Sequence, residues 1–268
     1  MQIIVVDDAS EDVPALQEVV REFGRVELVL NDEAKGAGNA RNVGLRHVKG
    51  DWLVFADADD FFSENLLDVL DKHYKDDLDI VYFRAESIFS DTLAHAPKLD
   101  ERNAAINKYI GTKKISEFCR YYCTEPWGKM IKTDLVTRHG IGFDETPLAN
   151  DFYFSVVSAF YARKVGLDDA RLYMYTVRPE SLSYRLCADE SALTTRLNVY
   201  WGVQIFYDEH KVPYIPFYEF VISGLFLSRD VPKEVITLFL RKRKVSKMQA
   251  LFRYAKGKLY QYTKGVHL

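Results

Sequence analysis

The stretch from Lys49 to Phe62, Lys-Gly-Asp-Trp-Leu-Val-Phe-Ala-Asp-Ala-Asp-Asp-Phe-Phe, constrains this chain more than any other. Its apolar run, Trp52 to Ala56, has the composition of a strand buried on both faces. The run stops abruptly at the carboxylates Asp57, Asp59 and Asp60. Carboxylates this close repel one another unless a cation or solvent absorbs the charge. In open α/β sheets, ligands gather at the carboxyl ends of strands. Asp-x-Asp in that place is therefore a candidate for holding a divalent metal and the diphosphate it neutralises.

Around this stretch the chain alternates. Gln2 to Val6 is β-rich and runs into Asp7-Asp8; Ser10 or Asp12 can then cap a helix reaching about Phe23, with Pro14 in its first turn. Val26–Leu30 reads as a strand, Asn39–Val48 has helical spacing, a helix runs from Ser63 through Tyr74, and Asp79–Phe83 is a further strand. Such β-α-β-α-β-α-β order predicts an α/β fold with a mostly parallel sheet and helices on both faces. The pattern then loosens. Residues 86–114 are polar and mixed and predict a loop or an antiparallel edge element. Short helices follow at Ile115–Tyr122 and Thr133–His139, then an amphipathic aromatic helix at Asn150–Ala162. Lys164–Val177 reads as a strand pair turning at Asp168-Asp169. Helices at Leu193–Tyr207, Tyr218–Ser228 and, with breaks, Lys233–Tyr262 complete the chain. The expected organisation is a catalytic domain over residues 1–185 and a helical, basic extension over 186–268.

Charge sorts the partners. A net charge of −3 over 268 residues supplies no general attraction for nucleic acid. From Val235 onward there is no Asp or Glu, while Arg241, Lys242, Arg243, Lys244, Lys247, Arg253, Lys256, Lys258 and Lys264 are basic. Apolar and aromatic residues between them suit either a solvated helical end or a helix on an anionic membrane surface. Cys119, Cys123 and Cys187 are too few and scattered for a disulfide framework or a zinc site, which predicts free thiols in a reducing cytosol. No signal peptide opens the sequence, and the apolar stretch Val212–Leu227, broken by two prolines and Glu219, is too short to span a bilayer.

Further residues carry candidate chemistry. Asp7-Asp8 is a second acidic strand end; a turn and helix cap explain it alone, but two acidic ends at one rim can grip a ribose or base edge. Arg41 lies in Gly36-Ala-Gly-Asn-Ala-Arg-Asn-Val-Gly44, where glycines allow close approach and a helix start offers N–H groups to an anion. Asp151, after Asn150 at a helix start, is a cap or a general base. Trp127 and Lys129 sit in a short turn bounded by Pro and Gly, as core residues or as a sugar platform. Arg178 and Arg185 flank Glu180-Ser-Leu-Ser183, as surface arginines or as a clamp on a leaving phosphate.

Taken together, these residues resemble the family 2 glycosyltransferases of bacterial polysaccharide assembly, from Ile3 to about Arg185. The family's Val-Asp-Asp-Gly-Ser-x-Asp corresponds to Val6-Asp-Asp-Ala-Ser-Glu-Asp12, and its Asn-x-Gly-x-x-x-Ala-Arg-Asn-x-Gly to the segment Ala34–Gly44. Its Gly-x-Tyr-Ile-x-Phe-Leu-Asp-x-Asp-Asp corresponds to Gly50–Asp60, and its Trp-x-Lys to Trp127-Gly-Lys129. Glu-Asp before an aromatic helix corresponds to Asn150-Asp151, and Tyr-x-x-Arg-x-x-Ser to Tyr175–Ser181. The resemblance implies a GT-A fold, Mg2+ or Mn2+, and transfer with inversion from a nucleotide sugar, UDP-sugar favoured, to a glycan or lipid-linked acceptor. By the same resemblance Asp7 binds the nucleotide sugar, Asp8 faces the base, Arg41 the base or diphosphate, Asp57 the ribose, and Asp59 the metal. Asp151 is the base, and Trp127, Lys129 and Arg178 lie on the acceptor or phosphate side. The implied location is the cytoplasm, peripheral on the inner face of the plasma membrane.

Three departures stand out. Asn150 replaces an acidic residue, which removes a like charge and predicts a lower pKa for Asp151 than in Glu-Asp relatives. Ala9 replaces a glycine, which asks only for a less permissive turn. The family's first strand and helix have no counterpart ahead of Met1-Gln-Ile-Ile-Val. A late start, a truncated product, or direct pairing of Gln2–Val6 with Trp52–Ala56 would each account for that. A sheet without a central strand would expose backbone groups and apolar surface and weaken nucleotide binding. The rival readings are an inactive homologue serving as a scaffold and a sugar nucleotidyltransferase, the latter lacking its usual glycine-rich basic loop here.

Overall fold

A computed structural model describes residues 1–32, 35–112, 115–178, 189–212, 214–227 and 231–264. Two compact units are present, each discontinuous in sequence: Met1–Ala85 with Thr124–Met174, and Glu86–Cys123 with Tyr175–Leu268. The boundary expected at residue 185 falls outside the described residues.

In chain order the elements open with β1 (Ile3–Asp7), α1 (Val13–Phe23), β2 (Val26–Leu30), α2 (Ala37–Arg46), β3 (Trp52–Leu53) and β4 (Phe61–Phe62). Then come α3 (Leu66–His73), β5 (Ile80–Phe89), α4 (Asp100–Tyr109), α5 (Ile115–Tyr122), β6 (Lys129–Lys132) and α6 (Thr133–Arg138). The chain continues with α7 (Phe152–Tyr161), β7 (Val165–Val177), α8 (Glu190–Glu209), α9 (Pro216–Ile222), a π-helical turn (Ser223–Leu227), α10 (Lys233–Lys242) and α11 (Lys247–Lys264).

The α/β class is as the alternation predicts, with a mixed sheet. β1 and β2 pair in parallel as a two-stranded sheet, with Ile3 opposite Val26 and Asp7 opposite Leu30. The other strands form a second sheet in the order β3-β6-β5-β7-β4, in which β3–β6, β5–β6 and β4–β7 are antiparallel. Alternation alone misses this because β6 returns from the Glu86–Cys123 excursion, and an excursion of that length leaves either strand direction open. Its core gathers Val69, Val81, Phe83, Met130 and Leu172, with Trp52, Val54 and Phe62 packed against them.

Direct pairing of Gln2–Val6 with Trp52–Ala56 is not formed, since β1 and β3 belong to separate sheets. A polar tie stands there instead: Gln2 Nε2 donates to the His47 carbonyl (2.9 Å), and the Lys49 N–H donates to Gln2 Oε1 (2.9 Å). Apolar side chains of this layer are correspondingly exposed, among them Ile3, Val19, Phe23 and Leu30.

Other expectations need correction. Residues 86–114 include α4, whose Ala105, Ile106 and Tyr109 are buried. The expected strand pair at Lys164–Val177 is one strand, β7. Asp168 and Asp169 do not mark a turn because distant side chains hold them: Lys72 (2.5 Å) and His73 (2.7 Å) on Asp168, and Arg84 on Asp169. α7 is buried nearly all round rather than amphipathic, from Phe154 through Ala159.

The second unit is helical, with a core built from Leu193, Leu197, Phe217, Val221, Ile236 and Leu240. Cys119 and Cys123 are buried, and Cys187 lies outside the described residues.

Candidate active site

Every residue assembled here lies in the first unit. β1 delivers Asp7 and Asp8 to a turn. Asp7 is buried; its Oδ2 accepts from the Ser10 N–H (3.1 Å) and its carbonyl from the Asn31 N–H (2.9 Å). Asp8 Oδ1 accepts from Asn31 Nδ2 (2.7 Å), and Oδ2 accepts from the Gly36 N–H (2.6 Å). Ala9 holds φ +62°, the left-handed region, so the turn keeps the conformation that suits glycine although alanine occupies it. That corrects the expectation of a merely less permissive turn.

α2 joins this strand end to the next. Gly36 at its start has φ +85°. A Cβ on Gly38 would lie 2.0 Å from the Asp144 carbonyl oxygen, so only glycine lets the helix approach the Asp144–Asn150 loop. Asn39 is buried; its Oδ1 accepts from Asn31 Nδ2 (2.8 Å) and its Nδ2 donates to Glu145 (2.9 Å). Arg41 then reaches both ways. One guanidinium nitrogen donates to Asn150 Oδ1 (2.8 Å), and the other pairs with Asp57 Oδ1. The guanidinium carbon stands 5.4 Å from the centre of the Phe143 ring, which stacks on Phe154 at 4.0 Å.

After β3 the chain turns through Asp57, Asp59 and Asp60, with the Asp60 N–H donating to the Asp57 carbonyl (3.1 Å). Tyr173 from β7 spans this turn. Its hydroxyl accepts from the Asp57 N–H (3.0 Å) and donates to Asp60 Oδ2 (2.7 Å). Burial and the carboxylates at Asp57 and Asp60 push the Tyr173 pKa upward, so the phenol keeps its proton and stays a donor. Trp127, buried, stacks on Tyr173 with ring centres 4.9 Å apart and planes 3° from parallel. Lys129 is buried as well, with Nζ 5.3 Å from the centre of the Tyr82 ring. The mutual repulsion expected of the acidic turn is thus relieved at two of its carboxylates by Arg41 and Tyr173, and the third, Asp59, is exposed to solvent.

Asp151 occupies the cap position of α7, yet its side chain makes no bond to the helix start. Burial pushes its carboxyl up from the ordinary value; Arg41 opposes the rise, and Glu125 and Asp57 add to it. Loss of a neighbouring acid at Asn150 removes one upward push, but burial still sets the direction. Asn150 also makes a neutral hydrogen bond to Arg41, so the guanidinium charge acts on Asp57 and Asp151 instead.

Arg178 is exposed and belongs to the second unit, and Arg185 lies outside the described residues. Sequence reasoning missed Asn31, Asn39, Glu145 and Tyr173. Among the described residues, no three His, Cys, Asp or Glu side chains form a preformed metal cage. Mg2+ and related hard ions are commonly held by one or two carboxylates completed by substrate phosphates, and exposed Asp59 beside Asp57 fits that donor chemistry.

Residues 1–130 match the family described as Glycosyl transferase family 2. Over that segment the chain is similar to the family 2 glycosyltransferases. Its bacterial relatives include WfgD of Escherichia coli, a UDP-Glc:α-D-GlcNAc-diphosphoundecaprenol β-1,3-glucosyltransferase, 27% identical over 58% of this chain and 53% of WfgD. The chain spans between 27% and 57% of the length of other curated relatives it matches. Among solved structures it is similar to TarS of Staphylococcus aureus in complex with UDP-GlcNAc, with a TM-score of 0.64 at 19% identity over 99% of this chain and 83% of that one. A Pyrobaculum calidifontis mannosyltransferase with GDP-Man and Mn2+ gives a TM-score of 0.53 at 16% identity, over 97% and 75% of the two chains. The fold is GT-A.

Proposed function

We propose that this protein transfers a sugar with inversion from a nucleotide diphosphate sugar, a UDP-sugar by preference, to a hydroxyl of a glycan or lipid-linked acceptor in cell-surface polysaccharide synthesis. The observation that carries this reading is Asp151: a half-buried carboxylate at a helix start, uncommitted to capping, under the same Arg41 that pairs with Asp57. The names of WfgD and of the TarS and mannosyltransferase complexes support the donor class.

In the proposed step, Asp8 and Arg41 hold the base and diphosphate side of the donor, Asp57 the ribose side and Asp59 the metal. A bound Mg2+ or Mn2+ supplies positive charge against the diphosphate. Asp151 takes the proton from the acceptor hydroxyl as that oxygen bonds to the anomeric carbon. The bond from that carbon to the diphosphate oxygen breaks, and its electron pair leaves with the nucleoside diphosphate. A raised pKa makes Asp151 a stronger base than an ordinary carboxylate. Trp127 stacks under Tyr173 and so backs the acidic turn on the acceptor side. Lys129 accompanies it in β6.

The test is Asp151→Asn, with UDP-GlcNAc, UDP-Glc and GDP-Man titrated in the presence of Mn2+. Transfer is expected to fall by about 10²- to 10⁴-fold with nucleotide binding retained. A carboxyl whose pKa rises on folding binds more protons in the folded state, so it lowers stability as pH climbs through its pKa. The asparagine variant is therefore expected to melt no lower than wild type at neutral pH. Transfer that survives Asp151→Asn, or no nucleotide bound at all, overturns the reading.

A further inference from the structure

α11 is held to the helical core by one face only. Ala250 is fully buried, and Gly257 lies so close to Ile215 that a Cβ there would stand 2.3 Å from Ile215 Cγ1. Lys258 pairs with Glu219, and Arg253 with Asp208 (3.0 Å). The other face is apolar and open. Met248, Phe252, Leu259 and Tyr262 are 73%, 70%, 64% and 70% exposed, with Leu251 at 41%. At about 100° per residue these side chains and exposed Ala255 share an arc of about 100°, a continuous stripe along the helix. Lys247 flanks the stripe on one side and Lys256 on the other, both exposed, and the helix is entered through exposed Arg241, Lys242 and Lys244. Tyr218, Lys244, Val245, Met248, Phe252 and Arg253 line an open hollow of about 440 Å³ at its start.

Charge decides what covers this stripe. The heptad-like spacing of Met248, Phe252, Ala255, Leu259 and Tyr262 would also suit a second copy of α11. Two such helices would bring lysines against lysines, and residues 235–268 offer no carboxylate to pair with them. No described helix is long and apolar enough to cross a membrane. An apolar stripe bordered by lysines fits the headgroup boundary of an anionic bilayer, with rings and aliphatic chains inward and ammonium groups at the phosphates.

We propose that α11 is a membrane-docking helix, lying in the plane of an anionic lipid surface on its Met248–Phe252–Leu259–Tyr262 stripe. The surface stands independently of the glycosyl transfer, because its test uses vesicles without donor or acceptor. The full chain is co-sedimented with phosphatidylcholine vesicles with and without about 30% phosphatidylglycerol, at low salt and at about 0.5 M. Anionic vesicles are expected to bind at least about tenfold more tightly than neutral ones, with most of the gain lost at high salt. Met248→Ser/Phe252→Ser/Leu259→Ser and Lys247→Glu/Lys256→Glu change exposed positions; each is expected to lose about tenfold in anionic-vesicle binding at unchanged helical circular dichroism. Three results overturn the proposal: no binding to either vesicle, binding indifferent to the stripe, or a concentration-dependent dimer that the serine variant abolishes, which would make a second copy the occupant.

Discussion

The two acidic strand ends look alike in sequence and differ in how their charges are met. After β1, Asp7 and Asp8 accept hydrogen bonds from Ser10, Asn31 and Gly36, all within the β1–α2 segment. After β3, Asp57 and Asp60 are met by Arg41 and by Tyr173, which comes from the far end of the unit, and Asp59 stands in solvent. The first end is a latch closed by its neighbours. The second is stitched from three parts of the chain, with one carboxylate outward. Local satisfaction closes a turn from its neighbours; long-range satisfaction fixes a turn from distant parts of the chain.

Asp59→Asn breaks the comparison most sharply. If the exposed carboxylate works on the donor, transfer should fall about a hundredfold or more while the melting temperature moves little. Donor turnover and a thermal melt on one preparation decide it; equal losses in both would make the second end a latch too.

Asp8→Asn probes the other side. An amide there offers an NH₂ to the Asn31 or Gly36 N–H donors, leaving a charge-assisted bond broken and a donor unmatched. The expected cost is about 1–3 kcal/mol, read as a lower urea midpoint. A variant as stable as wild type would show that the first end is not a latch.

Tyr173→Phe removes the hydroxyl that bridges Asp57 and Asp60 but keeps the stacked ring on Trp127. The expected loss is about 1–1.5 kcal/mol of stability, with a drop in transfer larger than the loss in nucleotide affinity. Equal losses in both would leave Tyr173 a purely structural residue.

These residues also mark where sequence ceased to be legible. β2 and α5 have the bounds their patterns predict, because each is a short apolar or amphipathic run with clear breakers. Asp57, Arg41 and Asp151 could be singled out because each belongs to a local motif. Tyr173 belongs to none: one more aromatic in a strand, it acquires its role only when β7 comes to lie against β4. Asp168-Asp169 misled for the opposite reason. Adjacent acids mimic a turn, and the side chains that hold them, Lys72, His73 and Arg84, lie far away in sequence. α4 escaped because its buried Ala105, Ile106 and Tyr109 are spaced too sparsely in a polar segment to show a helical period.

The smallest effect returns to the latch. Ala9 sits at φ +62°, where an L-residue is strained by about 1–2 kcal/mol, and glycine would relieve that at an entropic cost of about 0.5–1 kcal/mol. Ala9→Gly is thus expected to raise stability by under about 1 kcal/mol, seen as a small upward shift in the urea midpoint. Because both Asp8 oxygens are already met, relaxing the turn should leave nucleotide affinity unchanged. An affinity gain larger than the stability gain would mean that strain at Ala9 holds Asp8 back from the donor base it is proposed to grip.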